Sequence, residues 1–495
     1  MAKNKTTRWL AALGGLLLSA ASTQALADAG NWPGKINGKG AVFVQGENPV
    51  GGNKLYTWLR EDNGALTYFK TIPTGGNSSG VGPKAGNGSG LTWVNEGTHS
   101  VVRDGDLLFV TNSGPGLDLR SLLGNVADTV ISLTGGDLNV LRRLLSQPLG
   151  GPSGPGLGNV LNVLPALPHI TALGVGDVLS GSVSVFKIES NGLVLKDVAF
   201  TNGTNPVSVA RQGNLVVVLN EKNNTVQSYK LGSDLKLTPV SNILLNNDPI
   251  HGGVLAHPSD IVFNKEGTKI VVAERQYPAS LAIPDQKWFI DVASIDPSTG
   301  VLSNVVVNDV ATPHGAGGLA AEPFGILIAK SGVLAVTHGR FEVPYGSYEA
   351  TYRILANNTL ERTSFVASGG WDDCWSVTVA STDPSKEWYY VQSFFDSALW
   401  VAPLTDVLGE FRFLDNTSAL LPNVPAGLGG TDIAATPSDT TSSARTFVYA
   451  LNNPSVPGTT QIVGYEVDRA TGEATRVGAW GNNVLPITAV GIAAR

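Results

Sequence analysis

An all-β chain folded as a seven-bladed propeller is what this sequence predicts, on three observations. A unit of roughly 40–50 residues recurs along the chain, the period of a propeller blade. Each copy reads as four short strands in fixed order: an opening strand, an apolar strand, an alternating strand and an outer strand. The first copy lacks its opening strand, while a spare strand, "ITAVGIAA", stands near the C-terminus. Pairing that strand into the first blade closes the ring and removes the last free sheet edge.

The elements follow in order. "MAKNKTTRWLAALGGLLLSAASTQALA" reads as a secretory leader, with Lys3, Lys5 and Arg8 before an apolar stretch and Ala25-Leu26-Ala27 as the cleavage site. Its apolar part is too short to span a bilayer, and no later stretch is long and apolar enough. Residues 28–495 are therefore expected to form one propeller domain, secreted or periplasmic. Blade 1 begins at "AVFVQG", and blade 2 has "GLTWVN", "DLLFVTNSG" and, only after Ser180, "SVSVFKI". Blade 3 is "NPVSVAR", "NLVVVLNE", "TVQSYKL" and "LKLTPVS"; blade 4 is "HPSDIVFN", "TKIVVAER", "WFIDVASID" and "GVLSNVVV". Blade 5 is "EPFGILIA", "GVLAVTHGR", "EATYRIL" and "TLERTSFV". Blades 6 and 7 open with "DCWSVTVA" and "GTDIAAT".

Residues 114–180 break the pattern as a Gly/Leu/Pro-rich insert in blade 2. Leucines three and four apart in "LRSLLGNVADTVISL" and "DLNVLRRLLSQPL" predict two short helices, with Asp118 and Asp137 near their starts. The insert joins the second and third strands, in the same layer of turns as Glu221. It is either a lid or partner-contacting arm on that face, or a surface excursion without a binding role.

Composition excludes several functions. The net charge is −7, and losing the three basic residues of the leader makes it −10, so the long-range field repels nucleic acid and anionic membranes. Cys374 is the only cysteine, which rules out disulfides and CxxC sites. It lies between Asp373 and Trp375, where neighbouring acids oppose thiolate formation, so a packing role is expected. No His, Asp and Glu spacing suits a metal, and no phosphate-cradling loop or nucleophile elbow occurs, so neither metal nor cofactor is expected. The expected partner is a small molecule, and the expected state a monomer.

Polar residues close the second strand of successive copies: Glu221, then Glu274 and Arg275, then His338 and Arg340. His257 and Glu322 each open a first strand. Turns of one rim gather over a propeller's channel, so these residues are the candidate site. Glu221, Arg275, His257 and His338 are candidates for catalysis; Arg340, Glu274 and Glu322 for binding. The same positions are where strands meet water, and an ion pair there is worth under about 1 kcal/mol. Pro258 after His257 also allows a packing explanation. His99, His169, His251 and His314 read as turn or surface histidines.

"VSVF", "NLVVVLNE", "KIVVAER", "GGTDIA" and the terminal "GIAA" resemble the seven-bladed propeller lactonase family, which includes 6-phosphogluconolactonases and carboxymuconate cyclases. The resemblance covers the chain from about Gly40 onward, apart from the insert. It implies lactone hydrolysis, or the reverse cyclisation, by a His, two Arg and a Glu. Asn220-Glu221 match the Glu position, and "VVAER" places Arg275 at one Arg. The other Arg position holds Val207, and the His is expected where this chain reads "GSGLTW". On this reading Glu221 activates water or abstracts a proton, Arg275 holds the substrate, and His257 or His338 supplies an acid or base. The alternative is a non-catalytic secreted propeller that binds a small ligand or protein.

Overall fold

The structure is a computed structural model that describes residues 40–47, 52–76, 84–86, 90–92, 99–114, 181–189, 192–221, 223–245, 256–276, 288–310, 322–340, 344–417, 429–438, 445–453 and 458–495. For 84–86, 90–92, 256, 257, 275 and 276 it describes the backbone alone. The leader and insert residues 115–180 lie outside the described residues.

Seven four-stranded antiparallel sheets form the blades. Blade 1 holds β1 (Gly40–Gly46), β2 (Lys54–Arg60) and β3 (Leu66–Pro73). A separate ribbon pairs β4 (Lys84–Gly86) with β5 (Gly90–Thr92). Blade 2 is β6 (Val101–Asp104), β7 (Leu107–Asn112), β8 (Ser182–Glu189) and β9 (Gly192–Phe200). Blade 3 is β10 (Pro206–Gln212), β11 (Leu215–Asn220), β12 (Thr225–Leu231) and β13 (Leu237–Leu244). Blade 4 is β14 (Ala256–Phe263), β15 (Lys269–Gln276), β16 (Phe289–Ile295) and β17 (Leu302–Asp309). Blade 5 is β18 (Glu322–Ile328), β19 (Leu334–Gly339), β20 (Tyr348–Ile354) and β21 (Leu360–Ala367). Blade 6 is β22 (Asp373–Ala380), β23 (Glu387–Ser393), β24 (Ala398–Leu404) and β25 (Arg412–Asn416). Blade 7 is β26 (Gly430–Ala435), β27 (Thr446–Asn452), β28 (Gln461–Val467) and β29 (Ala474–Trp480). The last strand, β30 (Ala489–Ala494), pairs with β1 as the inner strand of blade 1 and closes the ring.

One strand differs from the sequence expectation. Blade 2 opens with β6, not with "GLTWVN", whose first residues belong to the separate ribbon. The reason is the Gly105-Asp106 loop: Gly105 takes φ 60, and this two-residue turn joins β6 directly to β7.

Second strands such as β7, β11, β19 and β27 are buried along their whole length, while the outer strands β13 and β21 are only partly buried. A strand covered on both faces must be apolar throughout, which explains "LVVVLN". Among the described residues the core is not one mass but seven clusters, each between neighbouring blades. Val217 and Leu219 of blade 3, for example, pack with Ile261 and Val272 of blade 4. Cys374 is buried in the cluster between blades 6 and 7.

Candidate functional site

The connections sort by face. Inner strands begin, and second strands end, on one face, and that face carries the long connections: 113–181, 277–288, 310–321 and 417–429. On the other face β6–β7 and β10–β11 are joined by two residues each, 105–106 and 213–214. Asn220-Glu221, Glu274-Arg275 and His338 to Arg340 all lie at second-strand ends on the first face, as the repeat requires.

Near that face the inner strands share a β-bulge. The pairing slips between Pro206 and Ser208, between Pro258 and Asp260, and between Gly430 and Asp432. A bulge breaks the ladder and leaves backbone N–H groups to be satisfied elsewhere. Here they reach the preceding blade. Val209 N–H donates to His99 O at 3.2 Å, Ile326 N–H to Asp260 Oδ2 at 2.8 Å and Ile492 N–H to Asp432 Oδ2 at 3.0 Å. Ser208, Asp260 and Asp432 therefore form a polar girdle around the channel.

His99 joins this girdle. It precedes β6 with φ 55, in the left-handed region that Asn, Asp and His tolerate better than most residues. Its Nδ1 donates to Asp260 Oδ1 at 2.9 Å, and Ser208 Oγ donates to the same oxygen at 2.9 Å. Burial alone would lower the imidazole pKa. The Asp260 carboxylate, by charge and hydrogen bond, and the charge of Asp432 outweigh it and raise the value to about 9. His99 is therefore protonated at neutral pH. Its side chain is 34% exposed, whereas that of Asp260 is fully buried, so solvent reaches the imidazolium and not its partner. Burial raises the carboxyl of Asp432 to about 7, against the lowering influence of His99.

Next around the ring, Glu221 is buried and accepts a hydrogen bond from Asn205 Nδ2, while Glu221 N–H donates to Asn205 O at 3.0 Å. In blade 4, His257 pairs with Arg275 and Pro258 with Glu274 in the strand register. The side chains of His257 and Arg275 lie outside the described residues. Glu274 is fully buried, neither carboxyl oxygen has a hydrogen-bond partner, and burial with nearby Asp291 holds its pKa well above the ordinary range. In blade 5, Glu322 pairs with Gly339 and is half-buried. His338 is fully buried, with the Tyr352 hydroxyl 3.4 Å from Nε2 and the Phe365 ring edge-on. Burial lowers its pKa to about 3, so the imidazole is neutral. Arg340 is buried at the end of the same turn.

Glu349 and Asp373 form a further buried acidic pair between blades 5 and 6. Asp373 accepts from Ser368 Oγ and Ser393 Oγ, and burial raises its carboxyl to about 6. Burial beside Asp373 holds Glu349 well above the usual carboxylate range.

These groups set a pH dependence of stability. The folded pKa of His99 lies above its ordinary 6.5, so its contribution is complete below about pH 6.5 and is lost as the pH rises to about 9. Asp432 and Asp373 hold protons in the fold that the unfolded chain releases near pH 4, so stability also declines from about pH 4 to 7. Urea unfolding is expected to give a midpoint that falls steadily from pH 5 to pH 9. His99→Gln flattens the upper half of that profile by about 1–2 kcal/mol, allowing for solvent at the ring edge. An upper half that stays equally steep in the variant contradicts the His99 assignment.

No family model matches the chain, and no curated protein does. Solved structures do match. One is a protein of Bacteroides fragilis NCTC 9343 described as a candidate 6-phosphogluconolactonase. It is 13% identical, with TM-score 0.51 over 94% of this chain and 100% of that one. Another is a periplasmic gluconolactonase of Pseudomonas aeruginosa, 13% identical, with TM-score 0.52 over 92% of this chain and 99% of that one. A candidate 6-phosphogluconolactonase of Bacteroides uniformis ATCC 8492 matches at 12% identity and TM-score 0.50, over 92% and 99%. The chain has the seven-bladed fold of these lactonase propellers.

Two positions of the lactonase-propeller resemblance change meaning on this fold. "GSGLTW" does not open blade 2; β6 does, with His99 two residues before it. His99, read from the sequence as a turn or surface residue, does lie in a turn ahead of β6 with its side chain 34% exposed, and it reaches Asp260 by a hydrogen bond that the sequence does not announce. The signal for β6 was the Asp104-Gly105-Asp106 hairpin, which fixes "VVRD" as the strand, with His99 two residues before it. Val207, in the position of the second arginine, is fully buried between Leu219 and Ile261 in the core of blades 3 and 4.

Proposed function

We propose that this protein is an extracytoplasmic hydrolase of unphosphorylated sugar lactones. The observation that carries the reading is the His99–Asp260 pair, a solvent-reached imidazolium on the same face as Glu221 of the adjacent blade. Glu221, oriented by Asn205, takes a proton from the attacking water. His99 stabilises the oxyanion that forms at the lactone carbonyl and then gives its proton to the ring oxygen as the C–O bond breaks. Arg275, at the end of the second strand of the next blade, holds the substrate. His338 is neutral and walled by aromatic rings, so no proton step is given to it.

The substrate class follows from Val207. A phosphate dianion needs several cationic donors, and here an apolar residue packed in the core replaces one of the two arginines that the resemblance supplies. The gluconolactonase described for Pseudomonas aeruginosa agrees with an unphosphorylated substrate, as does the predicted leader. The test compares glucono-δ-lactone with 6-phosphogluconolactone by proton release above the spontaneous rate. We expect kcat/KM about tenfold or more higher for the unphosphorylated lactone, the worth of one charged contact. Preference for the phosphorylated lactone, or turnover of neither, overturns the assignment.

A further inference from the structure

We propose that Arg340 is an anion-binding residue of the site face that takes the carboxylate of a sugar acid, the product class of the reaction proposed above. The sugar part of this inference rests on that reading; the anion part does not. Arg340 is 4% exposed, and its Nε and Nη2 are buried without a hydrogen-bond partner. Among the described residues it forms no ion pair, whereas Arg211, Arg353, Arg412, Arg445, Arg476 and Arg495 each pair with a carboxylate and are more exposed. A buried, uncompensated guanidinium is costly, and in a stable fold it marks a place where a counter-charge arrives from outside.

The surroundings narrow the ligand. The buried carboxyls Glu274 of blade 4 and Glu349 of blade 5 make no ion pair with Arg340, and burial pushes both well above the usual carboxylate range. A Cβ on Gly339 would lie 2.4 Å from Asp372 Oδ1, so an acidic side chain is packed against the residue beside Arg340. A single planar guanidinium suits a monoanionic carboxylate better than a phosphate dianion. Trp371 and Phe395 stack at 5.0 Å and 30°, tied by Phe395 N–H donating to Trp371 O at 3.2 Å and Phe394 N–H to Asp372 O at 2.8 Å. Both rings are half-buried on the same face of the next blade. On the face where Arg340 lies, they offer an aromatic surface for the C–H face of a sugar.

Calorimetric titration with gluconate, glucose and inorganic phosphate tests this, using the wild type, Arg340→Met and Arg340→Lys. Gluconate is expected to bind the wild type in preference to both other probes, and to bind each variant about tenfold or more weakly. Without ligand, Arg340→Met is expected to melt no lower than the wild type, because it removes an uncompensated buried charge. Unchanged gluconate affinity in both variants overturns the inference, as does phosphate binding more tightly than gluconate. Arg340-dependent gluconate binding by a protein that hydrolyses no lactone supports the anion site while removing the hydrolase reading.

Discussion

Removal of residues 489–495 is expected to leave a chain that does not fold cooperatively. These residues form β30, the inner strand of blade 1, and every residue from Ala489 to Ala494 is buried. Val490 and Ile492 alone stabilise the fold by about 1.5–3 kcal/mol each through burial. The strand also supplies the pairs that register β1 from Val42 to Gly46, and Ile492 N–H ties blade 1 to Asp432 of blade 7. Deletion would strip β1 of its partner on the channel side, open the ring between blades 7 and 1, and expose a long apolar edge. The summed loss is comparable with the whole stability of a domain, about 5–15 kcal/mol. Urea unfolding followed by circular dichroism should show no cooperative transition for the truncated protein. A transition close to that of the full chain would mean that the ring does not depend on this closure.

Glu221→Gln and His99→Gln are each expected to lower kcat/KM for an unphosphorylated sugar lactone by about 10²–10⁴, the range of a general acid or base. Gln keeps the size of Glu221 and its hydrogen bond with Asn205 but cannot accept the proton of water. Gln at position 99 can still reach Asp260 but carries no positive charge and no transferable proton. The double variant should lose less than the sum of the two in free energy, because both act in one transition state. Steady-state proton release, with circular dichroism to show that both variants fold, provides the measurement. Loss confined to KM in both variants would make these residues binding groups only.

Much of this fold was legible in the sequence because a blade is a local object. "NLVVVLNE" must be a strand covered on both faces, and Asn223-Asn224 must turn it. The repeat places Glu221 and Arg275 on one face without any structure, and the unpaired terminal strand announces the closure. The opening of blade 2 was missed because "GLTWVN" has better strand composition than "SVVRD", whose Arg103 and Asp104 look like loop residues. A two-residue hairpin decided the matter. The girdle was not legible for a deeper reason. Asp260 and Asp432 satisfy N–H groups of neighbouring blades, and His99 finds its partner 161 residues away, so no local pattern encodes either. The neutrality of His338 likewise depends on Tyr352 and Phe365, which come from other strands of its blade.

The most direct measurement is proton release when the purified protein meets glucono-δ-lactone in a pH-stat at neutral pH. A saturable rate, proportional to protein and lost in His99→Gln and Glu221→Gln, is the predicted result. A rate equal to spontaneous hydrolysis for the wild type, or one that both variants retain, would contradict a hydrolase built on the His99–Asp260 pair.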